Sequence, residues 1–312
     1  FYESLDADPQ LAGLRDAYPE IPGKRRRSLL DRLVAKPGRL AVGTVVMLLA
    51  LAFPLGYAAN DLASERAKVT LVGHRVAGVA APENSIAGLA VAVAHRAEMV
   101  EIDVQRTRDG AYILNHDDTF ARVAGMNRRS SDLTLAEVKA LTLRGTSEKV
   151  PTLEEFLVAA RGKVQVMIEL KGSTADTRMA DDVLAQVDRL QMTDAVVLMS
   201  LDYRLVASIE KRRPDVVTAF AYFMSIGDVS TLAADIIMLE EGEANAERIA
   251  IVQMAGKKAF VWTVNNADLM ASLITRGADG LVTDQVAEAR DVIDRHSVPS
   301  SADLFRELFW GQ

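Results

Sequence analysis

The chain has 312 residues, of which 49% are hydrophobic and 25% are charged, and its formal net charge is −7. This length accommodates one large catalytic domain or two small ones. The acidic balance argues against nucleic-acid binding, which needs a basic surface to neutralise phosphates. The absence of cysteine excludes disulfides, thiolate metal ligands and cysteine nucleophiles.

The first 60 residues have the pattern of a membrane anchor. Residues 1–39 are polar and end in basic side chains (Lys24, Arg25, Arg26, Arg27, Arg32, Lys36 and Arg39), whereas residues 40–60 carry no charge. A helix of that length spans roughly 30 Å, the thickness of the hydrocarbon core of a bilayer. The alternatives are a buried core helix or the apolar part of a signal peptide, for which Gly56-Tyr57-Ala58 is an acceptable cleavage site.

The basic side chains also predict the orientation of this transmembrane helix. Because they precede the apolar run, the positive-inside rule places residues 1–39 in the cytoplasm and everything after Asn60 on the other side of the cell membrane. The remainder of the chain is then extracytoplasmic.

Residues 69–295 alternate between short apolar runs and amphipathic helical patterns. Nine candidate strands occur, at residues 70–73, 99–104, 111–115, 164–170, 195–200, 216–221, 235–239, 259–264 and 280–283. Helical patterns lie between most of them, at residues 85–97, 152–160, 202–212, 246–255 and 267–276. Many of the runs lack polar alternation, which is typical of parallel strands buried on both faces. The fold class is therefore α/β, and the length favours a TIM (β/α)8 barrel over an open sheet.

A barrel of this kind needs eight strands, one fewer than the nine candidates. The second and third candidates are joined by a tight turn at residues 107–110 instead of a helix. One strand is therefore expected outside the regular ring.

Polar side chains lie at the carboxyl ends of the first four candidate strands. They are His74 and Arg75 after the first, Glu101 and Asp103 on the second, His116 after the third, and Glu169 and Lys171 around the end of the fourth. Carboxyl ends of barrel strands open onto one face, where active sites form, and residues two apart on a strand point the same way. We therefore expect all seven side chains at one mouth.

Glu101, Asp103 and Glu169 would repel one another there unless a cation neutralised them. Oxygen ligands without thiolate favour a hard divalent ion, Mg²⁺ or Ca²⁺. His74 and His116 provide a general acid and a general base. His95, within a helical pattern, and His296, after the last helix, are interpreted as structural or surface residues.

These groups suit the hydrolysis of a phosphodiester. The phosphate repels an incoming nucleophile, and a metal together with Arg75 and Lys171 would offset its charge. One histidine would deprotonate the attacking hydroxyl or water, and the other would protonate the leaving alkoxide.

The motifs resemble those of the glycerophosphodiester phosphodiesterase family. The resemblance rests on GHRVAGVAAPENS (73–85), EIDVQRTRDG (101–110), HDD (116–118), VPTLEEFL (150–157), IELK (168–171), VWTVN (261–265) and GLVTD (280–284). It covers residues 69–295, and the combination of motifs in this order is highly specific.

The resemblance implies a TIM barrel, paired acid and base roles for His74 and His116, metal ligation by Glu101, Asp103 and Glu169, and phosphate binding by Arg75 and Lys171. It also places Glu83 in a hydrogen-bond network with these residues. Trp262 either packs against the glycerol moiety or is an ordinary core residue. Val76 departs from the family, which usually has glycine after His-Arg, and a β-branched residue resists backbone geometry that glycine allows.

The implied reaction releases sn-glycerol 3-phosphate and an alcohol. A lysophospholipase D acting on lysolipids, or an inactive membrane-anchored binding module, is the alternative. Residues 296–312 form an amphipathic tail that either docks on the barrel or contacts the membrane or a partner. The sequence indicates no oligomeric state.

Overall fold

The computed structural model describes residues 69–222 and 231–296. These residues form eleven strands: β1 (Thr70–Gly73), β2 (Met99–Arg106), β3 (Tyr112–Leu114), β4 (Thr119–Phe120), β5 (Met126–Arg129), β6 (Gln165–Leu170), β7 (Val196–Ser200), β8 (Val217–Tyr222), β9 (Ile236–Glu240), β10 (Lys258–Trp262) and β11 (Gly280–Thr283). They also form nine α-helices: α1 (Ile86–Ala94), α2 (Ala121–Ala124), α3 (Leu135–Ala140), α4 (Leu153–Ala160), α5 (Thr177–Arg189), α6 (Tyr203–Arg212), α7 (Ala246–Met254), α8 (Ala267–Thr275) and α9 (Val286–His296).

Eight of the strands close into a parallel barrel in the order β1, β2, β6, β7, β8, β9, β10, β11. The ring closes because β1 pairs in parallel with both β2 and β11. This confirms the predicted TIM barrel. Each of the nine predicted strands matches an observed one, with ends that differ by at most two residues.

Of the nine predicted strands, the one outside the ring is β3. It pairs antiparallel with the last residues of β2, where Val104 faces Leu114 and Arg106 faces Tyr112. The tight turn before β3 therefore makes a hairpin at the mouth of the barrel, as the missing helix predicted. This hairpin carries the chain directly to His116.

The helices begin where the sequence supplies capping side chains. Thr152 and Glu155 form a capping box at the start of α4. Ser85, Asp176, Asn245 and Asn266 accept hydrogen bonds from the first turns of α1, α5, α7 and α8. Each cap satisfies a backbone N–H that has no partner within its helix.

An insertion at residues 117–150 follows β3 and was not predicted. It contains α2, α3 and the β4–β5 hairpin, and it has a hydrophobic core separate from the barrel, formed by Ile113, Phe120, Leu133, Val138, Leu143 and Val150. The strands of this hairpin are two and four residues long, too short for a sequence period to show. The insertion stands beside the mouth because it starts one residue after His116.

Alternation along the barrel strands positions the site. Inward-facing apolar residues, among them Val72, Met99, Met167, Phe260 and Val282, fill the barrel interior. Two residues further along each strand the same face reaches the mouth, where it presents His74, Glu101, Glu169, Trp262 and Asp284. The apolar interior thus ends directly beneath a layer of polar groups.

Three regions of the sequence prediction lie outside the described residues: the basic segment 1–39, the transmembrane helix 40–60, and the tail 296–312 except for His296, which ends α9. None of the helices within residues 69–222 and 231–296 combines the length and apolar character that crossing a membrane requires.

Arg290 joins α9 to the loop before β2 at the amino-terminal end of the barrel. Its Nη2 donates to the Arg96 carbonyl at 2.7 Å and to both carboxylate oxygens of Glu98 at 2.7 Å, and Glu98 Oε2 accepts from the Leu71 backbone N–H at 2.9 Å. We expect Arg290→Met to lower the free energy of unfolding by about 1–3 kcal/mol, because it strands the Glu98 carboxylate and the Arg96 carbonyl.

Urea unfolding would measure this loss. Arg295→Met on the exposed side of the same helix is the control and should change the free energy by less than about 0.5 kcal/mol. Equal effects of the two substitutions would show that the contacts of Arg290 do not stabilise the barrel.

Candidate active site

Three carboxylates converge at the carboxyl ends of β2 and β6. Glu101, Asp103 and Glu169 are all buried, and each contributes an oxygen to a group whose members lie within 4.8 Å of one another. Register explains the cluster, because Asp103 pairs directly with Glu169 across the two parallel strands. These are the three side chains that the sequence predicted as metal ligands.

Burial and mutual repulsion change how these groups titrate. Burial raises the pKa of Glu101 well above its usual range, and the charges of Asp103 and Glu169 raise it further. Burial also raises the pKa of Glu169 to about 6, against the opposing effect of Lys171. Burial would raise the pKa of Asp103 as well, but the Lys171 ammonium and other neighbours outweigh it and lower that pKa.

Lys171 is the cation nearest to the cluster. Its Nζ lies 3.0 Å from Asp103 Oδ1 and 3.1 Å from both oxygens of Glu169. Burial opposes the charge of this ammonium, yet the surrounding carboxylates raise its pKa above the usual value. Lys171 therefore stays charged, and its single positive charge is shared between Asp103 and Glu169.

The donor set fits a hard divalent cation. Glu101 Oε1 is buried and has no hydrogen-bond partner among residues 69–222 and 231–296, which leaves this oxygen able to bind a cation. Three carboxylates without sulfur or imidazole in the group match the oxygen preference of Mg²⁺ and Ca²⁺. This trio could hold such an ion.

Each histidine at the mouth is paired with an aspartate. His74 Nδ1 lies 2.7 Å from Asp284 Oδ1, and Asp284 Oδ2 accepts from Asn265 Nδ2 at 2.7 Å. These two bonds together outweigh burial and lower the pKa of Asp284. A carboxylate at Nδ1 holds the proton there and leaves Nε2 as the atom that can exchange a proton with a ligand.

His116 has the same arrangement with its sequence neighbour. Its Nδ1 lies 2.8 Å from Asp117 Oδ1, and burial lowers the pKa of this imidazole. Beneath it, Gln105 Nε2 donates to the backbone carbonyls of Asn115 and Asp117 at 2.7 and 2.8 Å. The buried amide of Gln105 thus fixes the loop that carries His116.

Arg75 lies between the histidines and the carboxylates. Its backbone N–H donates to Glu101 Oε2 at 2.8 Å, while its side-chain Nε is buried and has no hydrogen-bond partner within the described part of the chain. The guanidinium contacts Glu83 Oε2 at 3.4 Å. Arg75 therefore retains donors for an anionic ligand.

The loop after β1 adopts backbone angles that favour glycine. Arg75 and Val76 have φ values of 47° and 86°, and Val76 is fully buried. A β-branched residue is strained in this region. The expected conflict at Val76 is thus real, and the loop takes a glycine-like conformation in spite of it.

The other predicted residues lie partly in the site and partly away from it. Glu83 belongs to the mouth through its contact with Arg75. Trp262 ends β10, is partly exposed, and packs on the barrel interior above Phe260. His95 terminates α1 at the other end of the barrel, and His296 bonds to the Val292 carbonyl within α9.

Five further residues of the site were not assigned a role from the sequence. They are Asn84, which donates to Asp103 Oδ2 at 2.8 Å, together with Gln105, Asp117, Arg122 and Asp284. Asp117 and Asp284 stand inside motifs that the sequence analysis singled out, so each was visible beside a strand end. The partner of Asp284, His74, could be identified only once the pairing of β1 with β11 was known.

The chain is similar in sequence to known phosphodiesterases. Residues 74–288 match the sequence profile of the glycerophosphoryl diester phosphodiesterase family. YhdW of Bacillus subtilis is 30% identical over 227 residues, which cover 69% of this chain and 93% of that protein. A glycerophosphodiester phosphodiesterase of Caldanaerobacter subterraneus is 26% identical, over 70% of this chain and 94% of that protein.

A solved structure shares the fold. The Oleispira antarctica phosphodiesterase, crystallised with its product sn-glycerol-3-phosphate, superposes with a TM-score of 0.66 at 22% identity, over 74% of this chain and 99% of that one.

The raised pKa values predict that metal binding releases protons at acidic pH. Glu169, with a pKa of about 6, is protonated below that pH and must lose its proton to bind a cation, and the raised pKa of Glu101 acts in the same direction. About one pH unit below the pKa of Glu169, the affinity for Mn²⁺ should fall about tenfold, with more protons released per ion than about two units above it.

Calorimetry in buffers of different ionisation enthalpy measures the released protons. Glu210→Gln is the control, because burial also raises the pKa of Glu210 but its partner Thr218 lies at the opposite, amino-terminal end of β8. Proton release that is independent of pH in the unaltered chain would contradict the assignment of these ligands.

Proposed function

This chain belongs to the glycerophosphoryl diester phosphodiesterase family, and we propose how its barrel mouth carries out the hydrolysis of glycerophosphodiesters to sn-glycerol 3-phosphate and an alcohol. The chain is an enzyme, a phosphoric diester hydrolase. The observation that carries the mechanism is the convergence at one mouth of two aspartate-held histidines, three buried carboxylates and an arginine whose Nε has no hydrogen-bond partner among the described residues.

Glu101, Asp103 and Glu169 would hold the divalent ion, Ca²⁺ or Mg²⁺. When bound there, such an ion supplies positive charge to the phosphate oxygens and replaces the repulsion within the trio by attraction. Arg75 adds a guanidinium whose Nε and Nη groups can donate to the same phosphate. Lys171, which pairs with Asp103 and Glu169, would add a second positively charged side chain beside the phosphate.

His74 and His116 move the protons. Asp284 binds Nδ1 of His74 and Asp117 binds Nδ1 of His116. Nε2 of each imidazole is therefore the nitrogen available for proton transfer. One Nε2 takes the proton from the attacking hydroxyl or water as its oxygen bonds to phosphorus, and the other gives a proton to the alcohol oxygen as the phosphorus–oxygen bond breaks. Both steps keep charge from building up on oxygen.

The substrate alternatives share this chemistry. A lysolipid offers the same glycerophosphate diester with an acyl chain attached, and a lysophospholipase D activity would require that chain for turnover. An inactive, membrane-anchored binding module would show no metal-dependent turnover. The complete set of acid, base, ligand and phosphate-binding groups favours catalysis over an inactive module.

Release of sn-glycerol 3-phosphate from glycerophosphocholine tests the proposal. We expect release with Mg²⁺ or Ca²⁺, none with a chelator, and recovery when one ion is restored. His116→Ala should lower turnover at least ~100-fold by removing a proton-transfer group, whereas His95→Ala should leave it unchanged. Release that is insensitive to chelation, or normal turnover by the His116 variant, would contradict the mechanism; release from lysolipids alone would favour the lysophospholipase D.

We also propose that residues 40–60 anchor the chain in the cell membrane with its barrel extracytoplasmic. The support is the uncharged run and the basic residues that precede it. Protease added outside intact cells should digest the barrel and spare an epitope within residues 1–39. Digestion of the barrel only after lysis would contradict this orientation.

A further inference from the structure

Arg122 connects the insertion to two loops of the catalytic mouth. This residue lies on α2 of the insertion, and its guanidinium bonds with two carboxylates that come from different loops. Its Nε and Nη2 donate to Asp117 at 2.8 and 2.9 Å. Its Nη2 also donates to Glu83 Oε1 at 2.8 Å, and Nη1 donates to Glu83 Oε2.

Each of these carboxylates touches a residue of the proposed reaction. Asp117 Oδ1, which accepts from Arg122, also lies 2.8 Å from His116 Nδ1. Glu83 Oε2, which accepts from Arg122, also lies 3.4 Å from Arg75 Nη1. Arg122 is therefore linked through Asp117 to the proton-transfer group His116. It is linked through Glu83 to the phosphate-binding group Arg75.

The same geometry argues against a direct role for Arg122 in binding phosphate. All three of its guanidinium nitrogens donate to carboxylates, and two negative charges surround its single positive charge. Arg75 differs, since its Nε has no partner within the described residues and its contact with Glu83 is long. An incoming anion would meet compensated charge at Arg122 and available donors at Arg75.

The insertion fixes the position of Arg122. Phe120, two residues earlier, is fully buried in the core of the insertion, and Gly125 ends α2 in the left-handed conformation with a φ of 75°. The short helix is thus held at both ends. This gives the insertion, with its separate core, a physical connection to His116 and Arg75.

We propose that Arg122 is a positioning residue for the reaction proposed above, on which this inference rests. It holds Asp117 against His116 Nδ1, and it draws Glu83 away from a full ion pair with Arg75. Without Arg122, Asp117 would lose both guanidinium donors and His116 would lose its fixed orientation. Glu83 would then pair with Arg75, which would compete with phosphate binding.

Kinetics of glycerophosphocholine hydrolysis test this role. Arg122→Ala should lower kcat/KM by about 10- to 100-fold, the typical cost of misplaced catalytic groups, with a lower kcat from His116 and a higher KM from Arg75. Arg122→Lys should recover only part of the loss, because an ammonium lacks the planar fork that spans two carboxylates. Arg128→Ala is the matched control, since Arg128 is an exposed arginine of the insertion that, among the described residues, bonds only to Asp132 and Glu137.

Two restorations separate positioning from a general structural role. Guanidinium ions, added below the concentrations that unfold the protein, should restore activity to Arg122→Ala by occupying the vacated site, and the same concentration of NaCl should not. Adding Glu83→Gln to Arg122→Ala should lower KM again, because the neutral amide no longer competes for Arg75.

The inference is overturned if Arg122→Ala behaves like Arg128→Ala, or if its loss of activity persists unchanged in both restorations. Absence of release by the unaltered chain would instead contradict the proposed function, and this inference would fall with it. The unaltered chain, assayed in parallel with each variant, distinguishes the two failures.

Discussion

Mutual repulsion among Glu101, Asp103 and Glu169 is the constraint on which the rest of the mouth depends. Three carboxylates that are almost completely buried cannot all remain ionised without compensating positive charge. Lys171 compensates part of the negative charge of the three carboxylates. Asn84 donates a hydrogen bond to Asp103, the Arg75 backbone N–H donates to Glu101, and the other oxygen of Glu101 is left for a ligand. The raised pKa values of Glu101 and Glu169 reflect burial and the negative charge that is still uncompensated, which a divalent cation would neutralise.

The barrel makes this arrangement possible because, along each strand, apolar residues pack in the interior and polar residues follow at the mouth. The interior residues Met99 and Met167 are apolar, and the next positions on the same face, Glu101 and Glu169, are charged. Closely packed side chains below hold the strands in register, so the carboxylates cannot move apart to relieve their repulsion. The rigidity that stabilises the fold thereby preorganises the mouth for a cation and a phosphate.

Sequence could predict what depends on local periodicity. The strands, the two-residue spacing of Glu101 with Asp103, and the convergence of His74 and His116 all follow from the alternation of side chains and the common direction of the strands. Contacts set by ring closure could not be predicted in the same way: His74 and Asp284 are 210 positions apart, and they meet because β1 pairs with β11. The insertion was missed because its elements are too short to show a period, and Arg122 was missed with it. Val76 was recognised as unusual, but only the backbone shows that it occupies a conformation suited to glycine.

The central claim is that the three carboxylates form one divalent-metal site, and anomalous scattering from crystals grown with Mn²⁺ tests it most directly. The account predicts one strong anomalous peak within coordination distance of Glu101, Asp103 and Glu169, which disappears in crystals of Glu101→Gln grown under the same conditions. Folded crystals of the unaltered chain that show no peak there, or a peak that survives the substitution, would contradict it.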